Sequence, residues 1–165
     1  MRAADGENQD DESWEMTQVV AEAAYILEAE HPCHECGSFV PVFALLIEGP
    51  FECRGLVGLG ADDATALLRY VQTLPSALQR ALDAQSQGSW RRVDSKTAGT
   101  TYFMNHCREC GAKIGDWYVS QPDTAFFPLD NEGIKRVRGR RLQGPFVFDS
   151  PHISVSSWTD EWVRQ

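Results

Sequence analysis

The sequence predicts an α+β fold in which two strand-turn-strand units bracket a helical insertion at about residues 62–86. Three observations carry that expectation. "CHECG" (33–37) and "CRECG" (107–111) repeat one cysteine-turn-glycine phrase, with 70 residues between Cys36 and Cys107. Both phrases sit among β-branched and aromatic residues, "FVPVFALLI" after the first and "TTYFM" before the second, as strands do. Between them, "ATALLRYVQTL" and "PSALQRALDAQ" place apolar residues at helical intervals.

Taken in order, residues 1–15 hold six acids and one arginine, which puts −5 of the net charge of −9 into the first 15 residues. They read as a disordered, solvated leader, and residues 16–165 as a single zinc-binding domain, for reasons given below. The leader has no apolar h-region, and no apolar run approaches the ~20 residues that span a bilayer. The expectation is a cytoplasmic protein with no membrane contact. The second half of "VVAEAAYILEAEH" (19–31) reads as a strand entering the first turn, and "SFVPVFALLIEG" (38–49) as a central strand leaving it, apolar on both faces. Pro41 lacks an N–H, so it belongs at an unpaired position or a bulge. "GPFECRGLVGLGADD" is glycine-rich and loop-like.

Asp62 or Asp63 can cap the first insertion helix. Pro75 fits the first turn of the second, with Leu78 and Leu82 on one face. "TTYFMNH" then reads as a strand into the second cysteine turn and "AKIGDWYVS" as a strand leaving it. "QPDTAFFPLDNEG" is a loop around Phe126 and Phe127, followed by a short helix over 131–138 and a strand in "GPFVFDS". Trp158 and Trp162, at i and i+4, predict a short terminal helix.

The cysteines carry the chemistry. In a reducing compartment paired cysteines bind metal or do redox work more often than they form disulfides, and an odd total of five argues against a closed disulfide framework. A thioredoxin-like dithiol opens a helix, whose N-terminus lowers the thiol pKa; here each pair runs into glycine and then strand. In Cys-x-x-Cys-Gly the glycine can take the left-handed conformation that reverses the chain, with backbone N–H groups aimed at the sulfurs. Cys33, Cys36, Cys107 and Cys110 then supply four soft anionic ligands, the tetrahedral set of a closed structural zinc site. The fold class becomes zinc-ribbon-like β-hairpins with a helical insertion between the two knuckles, holding one Zn²⁺. Compact ribbons space their pairs about 15–20 residues apart, so this chain must converge across a longer insertion. Sharing the ion between two chains is the rival geometry.

The neighbouring groups have blander readings. His31, His34 and His106 each lie within two residues of a cysteine and can replace one as ligand, but four cysteines already complete a tetrahedron, so a flanking, hydrogen-bonding role is favoured. Cys53 has no partner pair and reads as a small buried hydrophobe. "KRVRGRR" offers Lys135, Arg136, Arg138, Arg140 and Arg141 to phosphates; the ordinary reading is a solvated helix end and loop.

The segment "YFMNHCRECGAKIGDWYV", with "AFFP" downstream and "CHECGSFVPVFAL" upstream, resembles a group of small bacterial zinc-ribbon-like proteins of unassigned function that carry two Cys-x-x-Cys-Gly knuckles. The resemblance covers about residues 25–128 and is most specific at the second knuckle. It implies zinc binding by Cys33, Cys36, Cys107 and Cys110, and no activity.

A full thiolate shell leaves no open coordination position, so metal catalysis is disfavoured. The leading expectation is a non-enzymatic, structural-zinc protein that binds another macromolecule, first of all a protein, as an adaptor or inhibitor of a basic partner. The alternative is a nucleic-acid-binding module using residues 135–141.

Overall fold

The computed structural model describes residues 18–54, 60–61, 65–149 and 152–165. The acidic leader and the capping positions Asp62 and Asp63 lie outside the described residues. Chain order is β1 (Gln18–Pro32), β2 (Phe39–Arg54), β3 (Gly60–Ala61), β4 (Thr65–Arg69), α1 (Ser76–Ser86), β5 (Trp90–Ser95), β6 (Thr100–His106), β7 (Lys113–Ile114), α2 (Asp116–Val119), α3 (Asn131–Arg136), β8 (Arg138–Asp149), β9 (His152–Ser154) and α4 (Ser157–Val163).

The strands form two antiparallel sheets. The larger runs β8-β1-β2-β4-β9, with β3 also on β2; the smaller is β5-β6-β7. In the larger sheet the long β1–β2 hairpin pairs Pro32 with Phe39 beside the first cysteine turn and continues, with a register shift between Ala21 and Ala23, to Gln18 and Arg54. The central strands β1 and β2 are buried on both faces over most of their length, while β8 at the edge is largely exposed. Ala24 and Ile26 of β1, with Phe43, Leu45 and Ile47 of β2, pack into one core together with Leu78, Leu82, Trp90 and Phe103. Leu27, Ala29, Val40, Val42 and Leu46 turn the other way, into a second core with Ile114, Val119, Phe126 and Trp158. Alternation of side chains along a strand sends neighbours to opposite faces, so a strand covered on both sides reads as a continuous apolar run.

That double burial overturns the predicted fold class. The described residues are mostly strand, with four short helices, and a zinc ribbon with a helical insertion is not what they form. The first insertion helix is absent: Thr65–Arg69 is β4, pairing with β2 on one side and β9 on the other. Ala66 and Leu68 enter the first core and Leu67 the second. An uninterrupted buried run has no period with which to tell strand from helix. The second helix does occur, as α1, with Leu78 and Leu82 buried.

Other elements shift as well. "DWYV" is helix α2 instead of strand, because β7 stops after Ile114 and the chain turns at Gly115. The basic stretch is a helix end that runs into a strand instead of a loop: Lys135 and Arg136 close α3, while Arg138, Arg140 and Arg141 lie on β8 alongside β1. The "GPFEC" segment continues β2 to Arg54. Helix α4 packs through Trp158, and Trp162 donates its indole N–H to the Val137 carbonyl at 2.8 Å. A Cβ at Gly139 would lie 2.1 Å from the Trp162 ring, so glycine in the basic stretch is what admits that indole.

Candidate metal centre

Each cysteine pair sits in the same tight turn at the tip of a hairpin. In the first, the Cys33 N–H donates to the Ser38 carbonyl (2.9 Å) and the Gly37 N–H to the Cys33 carbonyl (2.8 Å); in the second, Cys107 donates to Ala112 (2.8 Å) and Gly111 to Cys107 (2.9 Å). Gly37 and Gly111 have φ of 74° and 76°. A Cβ is disfavoured there, which explains why both phrases end in glycine.

The two tips meet. The sulfurs of Cys33, Cys36, Cys107 and Cys110 all lie within 4.8 Å of one another, with Cys33 Sγ 3.6 Å from Cys110 Sγ and Cys36 Sγ 3.7 Å from Cys107 Sγ. A tetrahedron of sulfurs ~2.3 Å from a central ion has edges of ~3.8 Å, so the donor set and its spacing fit a metal ion. Cys33 and Cys107 are buried in the second core, and Cys36 and Cys110 are exposed.

The turns prepare these thiols unequally. The Ser38 hydroxyl and backbone N–H hold Cys36 down to about 6. Backbone N–H groups of Cys36 and Glu35 lower Cys33. At Cys110 the Ala112 N–H favours the thiolate, but desolvation and the neighbouring sulfurs prevail and push it up to about 12. Mutual repulsion keeps four bare thiolates from coexisting, and a divalent cation at the centre reverses that preference.

The cluster contains no histidine. His106 is buried and directs Nδ1 to the Met104 carbonyl (3.0 Å), and burial lowers its pKa. Burial first, then His34, lowers His31. His34 stacks on Tyr118 with ring centroids 5.4 Å apart and lies 3.6 Å from the Glu35 carboxylate. Cys53 is buried in the first core, and desolvation raises its pKa.

The convergence depends on residues the sequence reading did not weigh. Asn105, fully buried on β6, accepts the Phe43 N–H (2.8 Å) and donates to the Phe43 carbonyl (2.9 Å), locking the second hairpin onto β2. The His106 N–H reaches the Ser89 carbonyl (2.7 Å), and the Arg108 guanidinium reaches the Ser86 carbonyl at the end of α1 (2.9 Å). A cation suits that helix terminus. Asn105 occupies the second position before Cys107, and its type at that place was the one available signal.

The basic residues do not gather at the centre. Arg138 pairs with Glu28 (2.7 Å), Arg141 with Glu48 (3.0 Å) and Lys135 with Glu132 (3.4 Å). Arg136 and Arg140 are exposed, with no side-chain partner among the described residues. No family model, curated protein or solved structure matches the chain.

Proposed function

We propose that the four thiolates hold one zinc ion in a closed structural site, and that the protein acts without catalysis as a binding module for another macromolecule, foremost a basic protein. One observation carries the zinc: two distant turns of matching conformation present four sulfurs at close to tetrahedral spacing. Four protein ligands leave no position for water or substrate, and zinc suits an all-sulfur tetrahedron. The net charge of −9 supports a basic partner. The second reading, contact with nucleic acid, rests on exposed Arg136 and Arg140, since carboxylates already engage Lys135, Arg138 and Arg141.

Protein purified without chelator should carry one zinc per chain by elemental analysis; metal-free protein that is fully folded overturns the reading. A specific basic protein should co-purify and survive nuclease treatment. Oligonucleotide binding that falls steeply with salt and is lost on reversing Arg136 and Arg140 would favour the second reading.

A further inference from the structure

Beside the second knuckle lies a cleft of about 640 Å³ that the zinc clamp does not use. Small-molecule sites span about 300–1,000 Å³ and combine apolar or aromatic walls with a few placed polar groups. This cleft is lined by Tyr70, Tyr102, Trp117 and Tyr118, and Lys96 and Lys113 also belong to its lining. Trp117 and Tyr118 are about half exposed, an arrangement that core packing does not call for.

The protein holds one wall in a strained conformation. Tyr70 has φ of 56°, the left-handed region, which is a genuine outlier for a bulky side chain. Its N–H donates to the Asp116 carboxylate at 2.7 Å, and Tyr102 and His152 pack edge-on against its ring at centroid distances of 5.0 and 4.9 Å. Such strain persists only where surroundings over-determine it, and it concentrates at ligand sites. Tyr118 is likewise fixed, stacked on His34 of the first knuckle.

Charge selects the ligand. Lys113 spends one N–H on the Asp94 carbonyl (2.8 Å) and keeps two. The Asp94 carboxylate, also at the cleft, accepts the Thr101 hydroxyl. Among the lining residues two lysines stand against one aspartate, on a protein of net charge −9, with the buried Asp116 carboxyl behind the Tyr70 wall. The lysines disfavour a cation, and a neutral sugar leaves them without purpose. A planar ring joined to an anion satisfies both the walls and the lysines.

We infer that the cleft binds a nucleotide unit, its base stacked on the exposed Trp117 ring between the walls formed by Tyr118, which stands perpendicular to Trp117, and Tyr70, and its phosphate held by Lys96 and Lys113. The unit comes either from a free mononucleotide or from one residue of a single strand. The site shares no residue with the thiol cluster or with the basic stretch at residues 135–141.

Titration calorimetry on the full, zinc-loaded chain tests it, with AMP, UMP, adenosine, inorganic phosphate and a single-stranded hexanucleotide as probes. Saturable binding of AMP or UMP below about 1 mM is expected, with adenosine and phosphate each at least about ten-fold weaker. Trp117→Ala should weaken binding about ten-fold, the loss typical of one stacking aromatic, while Trp117→Phe retains it and circular dichroism verifies the fold of both. Lys96→Gln with Lys113→Gln should weaken AMP and leave adenosine unchanged. A hexanucleotide that binds at least ten-fold tighter than AMP identifies a strand as the source; equal or weaker binding identifies the free nucleotide. Absence of saturable binding by every nucleotide probe, affinity unchanged by Trp117→Ala, or oligomer binding lost only on reversing Arg136 and Arg140 would overturn the inference. Zinc content measured on the same sample keeps failure here separate from failure of the clamp.

Discussion

The two cysteine turns are near copies of each other, and the structures beneath them are not. The first crowns strands of 15 and 16 residues that form the centre of the larger sheet. The second leaves a seven-residue strand and returns on one of two residues, Lys113–Ile114. The turn is thus a local property of Cys-x-x-Cys-Gly, while support for each tip comes from elsewhere. For the first it is the long β1–β2 backbone ladder at the centre of the larger sheet; for the second it is the shorter β5–β6 ladder, the His106 N–H on Ser89, the side-chain contacts of Asn105 and Arg108 and, on our proposal, the ion.

Removing the metal breaks the comparison most deeply. Structural zinc contributes an apparent ~10–16 kcal/mol in finger peptides, comparable with a whole domain's ~5–15. After chelation, hydrogen exchange should accelerate across residues 107–119 well before it does across the long hairpin. Simultaneous loss of protection in both would contradict the unequal support described above.

The next largest effect belongs to Asp116, which follows the second hairpin. Its carboxyl is buried, and although the Tyr70 N–H and Arg69 favour its charge, desolvation pushes it up to about 7. A folded value above the unfolded one means the folded state holds the proton longer. Stability is therefore full below about pH 4 and declines as pH rises to about 7, by at most ~4 kcal/mol at 1.36 per unit. Asp116→Asn should remove this decline in metal-loaded protein, seen as a melting-temperature gain over wild type that is clearly larger at pH 8 than at pH 6. A constant difference across that range would refute the assignment.

Asn105→Ala should cost about 3 kcal/mol in denaturant unfolding, since it strands a buried donor and acceptor at ~1–3 kcal/mol each. A cost under half a kcal/mol would show that Phe43 finds other partners. The smallest effect sharpens the likeness between the turns: Gly37→Ala and Gly111→Ala meet no atom within 4 Å, so each should lose only the left-handed preference, about 1 kcal/mol, and by equal amounts. Unequal losses would mean that the turns differ in strain.

How much was legible follows the same division. The turns, the four sulfurs and α1 are written locally, in glycine placement and a 3.6-residue period. Thr65–Arg69 misled because both its faces are covered, which erases periodicity. "DWYV" misled because its aromatics favour strand while Asp116 is needed to receive the Tyr70 N–H, a contact across 46 residues. The strained Tyr70 has no local signature, and Asn105 only its type two positions before Cys107; their roles exist only once β6 lies against β2 and α2 against the end of β4.

Asn105 has one more effect, on the rim of the larger sheet. The β4 ladder on β2 begins at Leu45, so the backbone of the preceding residues on that side is not paired by β4. Phe43 has both its backbone groups taken by the Asn105 amide. Pro41, two residues back and so oriented the same way, has no N–H to offer. An incoming strand would find neither rung to grip, so this border is guarded against edge-to-edge aggregation by one amide and one imino acid.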